Sequence, residues 1–362
     1  MRGVERYDLV VAGGGLAAAK AVEAYRENGG DGSVLVLSAE TRPPYHRPPL
    51  SKRLLRGESE PDAALVHPEE WYAEHEIDLR LGTHATGLDL AGRAVSLGGE
   101  GVGFGRLLIA TGSLPRPLAG AHSFRTIDDS LEIREAAQAA GSATVIGTGF
   151  IGLEVSASLR VLGVDVTLVT AGRPLFGTFG SADFSAHLDR VYRDQGVKVV
   201  ESAPREGLVV AGIGVVPATE WLEGSELELD DGVLVDDMFR TSIEGVFGVG
   251  DVARFHDPVF GERRRIEHWS NANYQGTEVG KILAGAAGGY DTVSSFFTEI
   301  FGTTYRVFGE LRGETELEGS FEDGRAIVRY RDGGRLFGAL ATGLEDAEVD
   351  ELKAAIRKEA SP

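Results

Sequence analysis

Two glycine-spaced loops are the residues of this chain whose spacing most directly suggests chemistry. Gly13-Gly14-Gly15-Leu16-Ala17-Ala18 follows the apolar run Tyr7 to Ala12 and opens a stretch with helical spacing. Gly147-Thr148-Gly149-Phe150-Ile151-Gly152 repeats the arrangement about 130 residues later. In such loops the first glycine permits a tight turn and the second lets the backbone approach a pyrophosphate. The third position, Ala18 or Gly152, must be small so that the helix packs close to its strand, and the helix N-terminus supplies amide donors. One such match is common among glycine-rich turns. Two, each between a strand and a helix, imply two dinucleotide sites, and hydride transfer is the natural reason to bring two dinucleotides together. An acidic residue after the second strand should hold ribose hydroxyls, and Glu40 is the candidate behind the first loop, its alternative being an exposed loop carboxylate.

Other chemistries are closed. The chain has no cysteine, which excludes structural disulfides, thiolate-ligated metal and thiol catalysis together. Its eight histidines are scattered without the spacing of a metal site, and His46, His67, His75 and His268 read as surface or structural residues, so no metal is expected. A formal net charge of −20 makes nucleic acid and anionic membrane unsuitable partners for the surface as a whole. The apolar runs are strand-length, shorter than the roughly 20 residues that span a bilayer. The start, MRGVERYDLVVAGGG, lacks a signal-peptide layout, so a cytoplasmic protein is expected.

The elements that must position these residues form a repeated phrase. YDLVVA, a loop and helix, and SVLVL make one strand–helix–strand unit; ATVI, GTGFIGLEVSASLRVLG and VDVTLV make a second. LLIATG reads as a further buried strand, VFGVGD as strand-like up to Asp251, and EHWSNANYQGTEVGKILAG as helical. The tail from about Tyr290 changes pattern: SFFTEIF, YRVFGEL, AIVRYR and RLFGALAT read as strands, with turns at EDG and DGG, before a helix DAEVDELKAAIRKEA. The fold class is therefore α/β, with two Rossmann-like domains and a smaller C-terminal α+β domain.

At Pro44-Tyr45-His46-Arg47-Pro48-Pro49-Leu50-Ser51-Lys52 the chain resembles the PYxRPPLSK segment of ferredoxin-reductase-type flavoproteins. That family, with rubredoxin and putidaredoxin reductase types, belongs to the two-dinucleotide-domain class that includes glutathione reductase. ATGSLPR, HSFRTIDD, GTGFIGLE, AGIGVVP, GVGD and EHWSNANYQG follow in the family's order, much of it shared with apoptosis-inducing-factor-like and monodehydroascorbate reductases. The resemblance implies an FAD domain over 1–117 and 236–289, an NAD(P)H domain over 118–235 and a third domain over 290–362. It implies FAD pyrophosphate at Gly13 and Gly15 with Ala18 behind, Arg47 and Lys52 along the flavin, and Thr111, Gly112 and Arg116 on the FAD-side loop. Asp251 would bond the ribitol or phosphate region, Trp269 would lie at the nicotinamide stacking site, and Phe297 would shield the flavin. Both aromatics read equally as core residues without the family context. Gly147, Gly149, Gly152 and Gly214 would hold NAD(P)H. Glu154, two residues past Gly152, is by itself a favourable partner for a helix dipole; the resemblance pairs it with Lys52 beside flavin N5 as the catalytic pair.

What the resemblance implies for activity is hydride passed from NAD(P)H to flavin N5, then electrons to a small iron–sulfur protein. Quinone or monodehydroascorbate reduction, or NADH sensing of the apoptosis-inducing-factor kind, are the alternatives; a homodimer stays open. Disulfide reductases and thiol peroxidases of this fold are excluded by the missing cysteine. Two departures stand out. Thr170, with Arg173 shortly after, occupies the place of the acidic residue that selects NAD, leaving NADH favoured only through the wider family. Between Val200 and Leu208, where the family has a strand meander, only ESAPREG remains. Omission of residues from the sequence is the reading taken, since a bare link leaves a sheet edge uncovered. The densest positive run, Arg263-Arg264-Arg265, extended by Arg53 and Arg56, is the expected dock for an acidic carrier, against a charge-compensated hairpin.

Overall fold

The computed structural model describes residues 5–205 and 207–360, in two compact units, each assembled from separated stretches of chain. The first comprises Met1–His46, Ala64–Leu114 and Val216–Thr292; the second comprises Arg47–Ala63, Pro115–Val215 and Val293–Pro362.

The first unit is built on a sheet in which strand Glu5–Ala12 lies between Val34–Leu37 and Gly101–Ile109, both parallel to it. Ile77–Arg80 extends one side, and Val246–Gly248 pairs in parallel with the far end of Gly101–Ile109. Leu9 to Ala12, Val34 to Val36 and Leu107 to Ile109 are almost completely buried, which is why they read as continuous apolar runs rather than alternating ones. Helix Leu16–Glu27 covers this sheet and packs against helix Trp269–Leu283 through small residues. A Cβ on Gly276 would meet the Ala17 carbonyl oxygen at 2.5 Å, and one on Gly280 would meet that of Ala21 at 2.3 Å. Only glycine lets these helix backbones come so close.

The second unit contains a five-stranded sheet ordered Lys198–Val200, Asp165–Val169, Ser142–Ile146, Leu208–Ala211, His122–Ser123, parallel at each pairing. It also contains a five-stranded antiparallel sheet ordered Ser295–Ile300, Thr303–Gly309, Arg335–Thr342, Arg325–Asp332, Glu314–Ser320. Helix Asp346–Ala360 lies on the latter through Val349, Leu352 and Ile356. Aromatic contacts knit the parallel layer to the antiparallel one: Phe150 meets Phe296 with ring centroids 5.5 Å apart, and Phe184 meets Tyr305 at 5.0 Å. This α/β architecture is the expected one. The sequence reading lacked strand Glu314–Ser320, which is exposed along most of its length and therefore carries no apolar alternation. From Lys198–Val200 the chain passes to Leu208–Ala211 by a short link with no strand among its described residues; Glu206 of ESAPREG lies outside them. Among the described residues no helix is long and apolar enough to cross a membrane.

Candidate functional site

Each glycine loop has the tight backbone turn that its spacing predicts. Gly13 has φ +126°, and a Cβ there would meet the Ala110 carbonyl oxygen at 2.1 Å; Gly147 has φ +132°, with the Gly212 oxygen at the same 2.1 Å. No L side chain fits either turn. Gly15 and Gly149 are the reverse case: a Cβ on either meets nothing within 4 Å, and each is the N-cap of its helix without a side-chain cap. Open space thus lies in front of two uncapped helix starts, whose first-turn amides and positive dipole end suit a pyrophosphate. At the third position Ala18 is fully buried, while a Cβ on Gly152 would strike the Gly147 oxygen at 2.2 Å, so the second loop needs glycine where the first accepts alanine.

Around the first loop, Glu40 is half-buried and accepts a short hydrogen bond from the Tyr45 hydroxyl, while Ser38 Oγ donates to the Glu40 carbonyl at 3.2 Å. Thr111 Oγ1 donates to Ala218 O at 2.8 Å, and Gly112, at φ +71°, accepts from Ala218 N–H. Asp251 is held by Ser113, which is 2% exposed and whose Oγ donates to Asp251 Oδ2 at 2.9 Å. Trp269, the first residue of its helix and 39% exposed, donates from Nε1 to His46 Nδ1 at 2.8 Å. Burial lowers the pKa of His46, which favours the neutral ring that accepts this bond. All of these lie in the first unit.

The second unit holds the catalytic candidates. Lys52 Nζ sits 2.6 Å from Glu154 Oε2, with both side chains almost wholly buried, and Lys52 also donates to Pro48 O at 3.3 Å. Thr298 Oγ1 donates to Glu154 Oε1 at 2.7 Å, and Ser51 Oγ makes a short bond to Oε2. Three donors from two further segments therefore hold one carboxylate on the helix behind Gly149. Phe297 precedes Thr298 on the same strand and, by strand alternation, points the other way: it is 45% exposed, Thr298 only 1%. Arg47 Nη1 donates to Arg125 O at 2.7 Å. Arg116 is exposed, its N–H bonded to Gly214 O, so it falls in the second unit while Thr111 and Gly112 fall in the first. Thr170 and Arg173 line one cleft of about 440 Å³.

These two cradles, on two similar strand–loop–helix units, agree with what sequence comparison finds. Residues 7–206 and 205–276 match the pyridine nucleotide-disulphide oxidoreductase family. The chain belongs to that family. Its match divides at residues 205–206, where the meander is short. Among relatives of known name, the ferredoxin–NAD(+) reductase component of the p-cumate 2,3-dioxygenase system of Pseudomonas putida is 32% identical over 356 residues, covering 91% of this chain and 85% of that one. Monodehydroascorbate reductase 3 of Arabidopsis thaliana is 30% identical over 395 residues, covering 91% and 90%. Among solved structures, putidaredoxin reductase in covalent complex with putidaredoxin superposes with a TM-score of 0.90 at 26% identity, over 98% of this chain and 93% of that one. The family's disulphide chemistry is closed to this member, which has no cysteine.

Sequence reasoning did not find Ser51, Ser113 or Thr298. Ser51 and Ser113 lie inside PPLSK and ATGSLPR, where the motif gives the hydroxyl but not its partner. Thr298 sits in an ordinary strand 144 positions from Glu154, and no local signal marks it.

The Arg263–Arg265 run is internally engaged. Arg263 Nη1 donates to Val235 O at 2.7 Å, and Arg264 pairs at 2.8 Å with Asp257, which is fully buried. Arg265 reaches Asp231 at 3.1 Å and also Glu267. Geometry thus favours the charge-compensated hairpin over the dock.

Proposed function

We propose that this oxidoreductase binds FAD at the Gly13–Ala18 loop, oxidises NAD(P)H bound at the Gly147–Gly152 loop, and delivers the electrons to a small iron–sulfur protein. The observation that carries this reading is the pair of open, uncapped helix starts behind Gly15 and Gly149, each able to receive one pyrophosphate. In the first cradle Glu40, Thr111, Gly112 and Asp251 would hold FAD, with Trp269 nearby; Arg47, Lys52, Arg116 and Phe297 would complete its surroundings. Gly147, Gly149, Gly152 and Gly214 would hold the nicotinamide cofactor. Bound FAD supplies a centre that takes electrons in pairs and releases them singly.

The residues of the chain supply charge and position. Lys52 presents a fixed cation, and Glu154, locked by Ser51 and Thr298, sets where that cation sits. At an effective dielectric of 20, two charges about 4 Å apart attract by about 4 kcal/mol before desolvation is subtracted, enough to hold the lysine in place. With no thiol on the chain, electrons leave without a disulfide relay. We assign the FAD domain to 1–117 and 236–289, the NAD(P)H domain to 118–235 and the third domain to 290–362, and place the protein in the cytoplasm.

The test is a steady-state assay of the yellow holoenzyme with NADH against plant-type and putidaredoxin-type iron–sulfur proteins, a quinone and monodehydroascorbate. Preference for an iron–sulfur protein by kcat/KM is expected. Faster reduction of monodehydroascorbate would select the second reading, which the 30% identical plant relative favours. A colourless protein that cannot be reconstituted with FAD would overturn both.

A further inference from the structure

The carboxylate missing at Thr170 has a neighbour. Strands Asp165–Val169 and Lys198–Val200 are parallel with Val169 opposite Val200, so the next pair is Thr170 and Glu201. Past the last registered pair two backbone bonds still link the segments: Thr170 N–H donates to Val200 O at 2.9 Å and Ala171 N–H to Glu201 O at 3.1 Å. Thr170 Oγ1 also lies 3.3 Å from Val200 O, which turns the hydroxyl toward the second strand. Residues opposite one another on neighbouring parallel strands project from the same face, one strand spacing of about 4.8 Å apart. Glu201 and Thr170 accordingly line the same open cleft, together with Gly172, Arg173, Asp189 and Arg193.

The charges of that cleft decide what it accepts. Arg193 is committed to Asp189 through two hydrogen bonds, Nε to Oδ2 at 2.8 Å and Nη2 to Oδ1 at 3.1 Å. What remains is Arg173 and Glu201, both exposed and of opposite sign. The ionisable lining sums to zero, so a 2′-phosphate carrying up to two negative charges finds no surplus of cations. A ribose with a free 2′-hydroxyl finds an acceptor able to take hydrogen bonds from its diol, the part a carboxylate at the end of the second strand ordinarily plays.

We propose that Glu201, from the adjacent strand, replaces the missing acidic residue at position 170 and makes the cofactor site selective for NAD(H) over NADP(H). The inference rests on assigning the Gly147–Gly152 loop to the nicotinamide cofactor. Glu201 acts on the ribose end, remote in role from the reacting atoms, and is a specificity residue rather than a catalytic one.

Calorimetric titration of the holoenzyme with NAD+ and NADP+ separates the two claims, since it reads binding rather than turnover. Wild-type protein should bind NAD+ roughly tenfold or more tightly than NADP+, and Glu201→Gln should narrow that ratio by roughly tenfold, through weaker NAD+ and tighter NADP+ binding. Arg173→Gln should widen it by weakening NADP+ alone. Glu201 is exposed, so its replacement leaves folding intact. An unchanged ratio in Glu201→Gln, or tighter NADP+ binding by the wild type, would overturn the inference while leaving the dinucleotide site standing. Failure of both dinucleotides to bind the wild type would overturn the site assignment and this inference with it.

Discussion

Lys52 and Glu154 gain their meaning from what surrounds them. Each is nearly buried, and among the described residues each is the other's ion-pair partner. Removing one member of such a pair leaves an uncompensated buried charge, which typically destabilises by about 3–5 kcal/mol. Lys52→Met should therefore lower the unfolding free energy by about 3 kcal/mol, and adding Glu154→Gln should recover most of it, as read by urea denaturation. The single variant should also lower the flavin midpoint potential and slow bleaching by NADH, with no effect of thiol-blocking reagents on the wild type. Unchanged potential and rate would return Lys52 to a structural role. Thr298→Val removes one donor and no charge, so its effect on the urea midpoint should be smaller than that of Lys52→Met.

At the scale of elements, two contacts set the first unit. The Gly276 and Gly280 face of helix Trp269–Leu283 rests directly on the backbone of helix Leu16–Glu27, the helix whose start forms the first cradle. Gly280→Val forces these helices apart; overpacking of this kind costs about 1–3 kcal/mol or more. The variant should be purified with a lower FAD-to-protein ratio, whereas an unchanged ratio would uncouple the helix contact from the cradle. The second contact is the Asp257–Arg264 pair. Burial raises the pKa of Asp257 and Arg264 pulls it back, so Arg264→Gln leaves a carboxyl buried without its counter-charge. That variant should lose about 3 kcal/mol of stability yet keep its KM for the iron–sulfur protein and the salt dependence of that KM. A changed salt dependence would restore the hairpin as a dock.

Over the whole molecule, charge and titration act together. A net charge of −20 repels an acidic electron carrier, and the Debye length falls from about 30 Å at 0.01 M salt to about 8 Å at 0.15 M. Turnover limited by an acidic carrier should therefore rise with ionic strength over that range; a fall would reveal a local basic dock. Stability has its own pH dependence through His268. Burial, opposed by Asp251 and reinforced by Arg264, lowers its pKa from 6.5 to about 4. Between those values the unfolded chain binds a proton that the folded chain does not, so the stability present above pH 6.5 is lost progressively as pH falls toward 4. Urea midpoints at pH 7 and pH 5 should differ in that direction, and His268→Gln should narrow the difference; an unchanged difference in that variant would locate the loss at other groups.

What the sequence determined by itself was whatever depends on near neighbours. The buried strands, the turns at Gly13 and Gly147 and the C-terminal helix Asp346–Ala360 all follow from residue type and period within a dozen positions, because steric limits on φ and alternation of apolar residues are local. The absence of cysteine settled the chemistry the family member lacks without any structure. The tertiary structure alone decided which distant side chains share a site. Ser51 meets Glu154 across 103 positions, Ser113 meets Asp251 across 138, and Thr298 meets Glu154 across 144. Strand Glu314–Ser320 needed its partner strand to be recognised, since an exposed edge has no apolar face to leave a pattern. Glu201 is the sharpest case: one carboxylate in a short link, it lines the same cleft as Thr170 because the two preceding strands run parallel in register. Register is fixed by hydrogen bonds between segments far apart in the chain, and spacing along a single chain carries no trace of it.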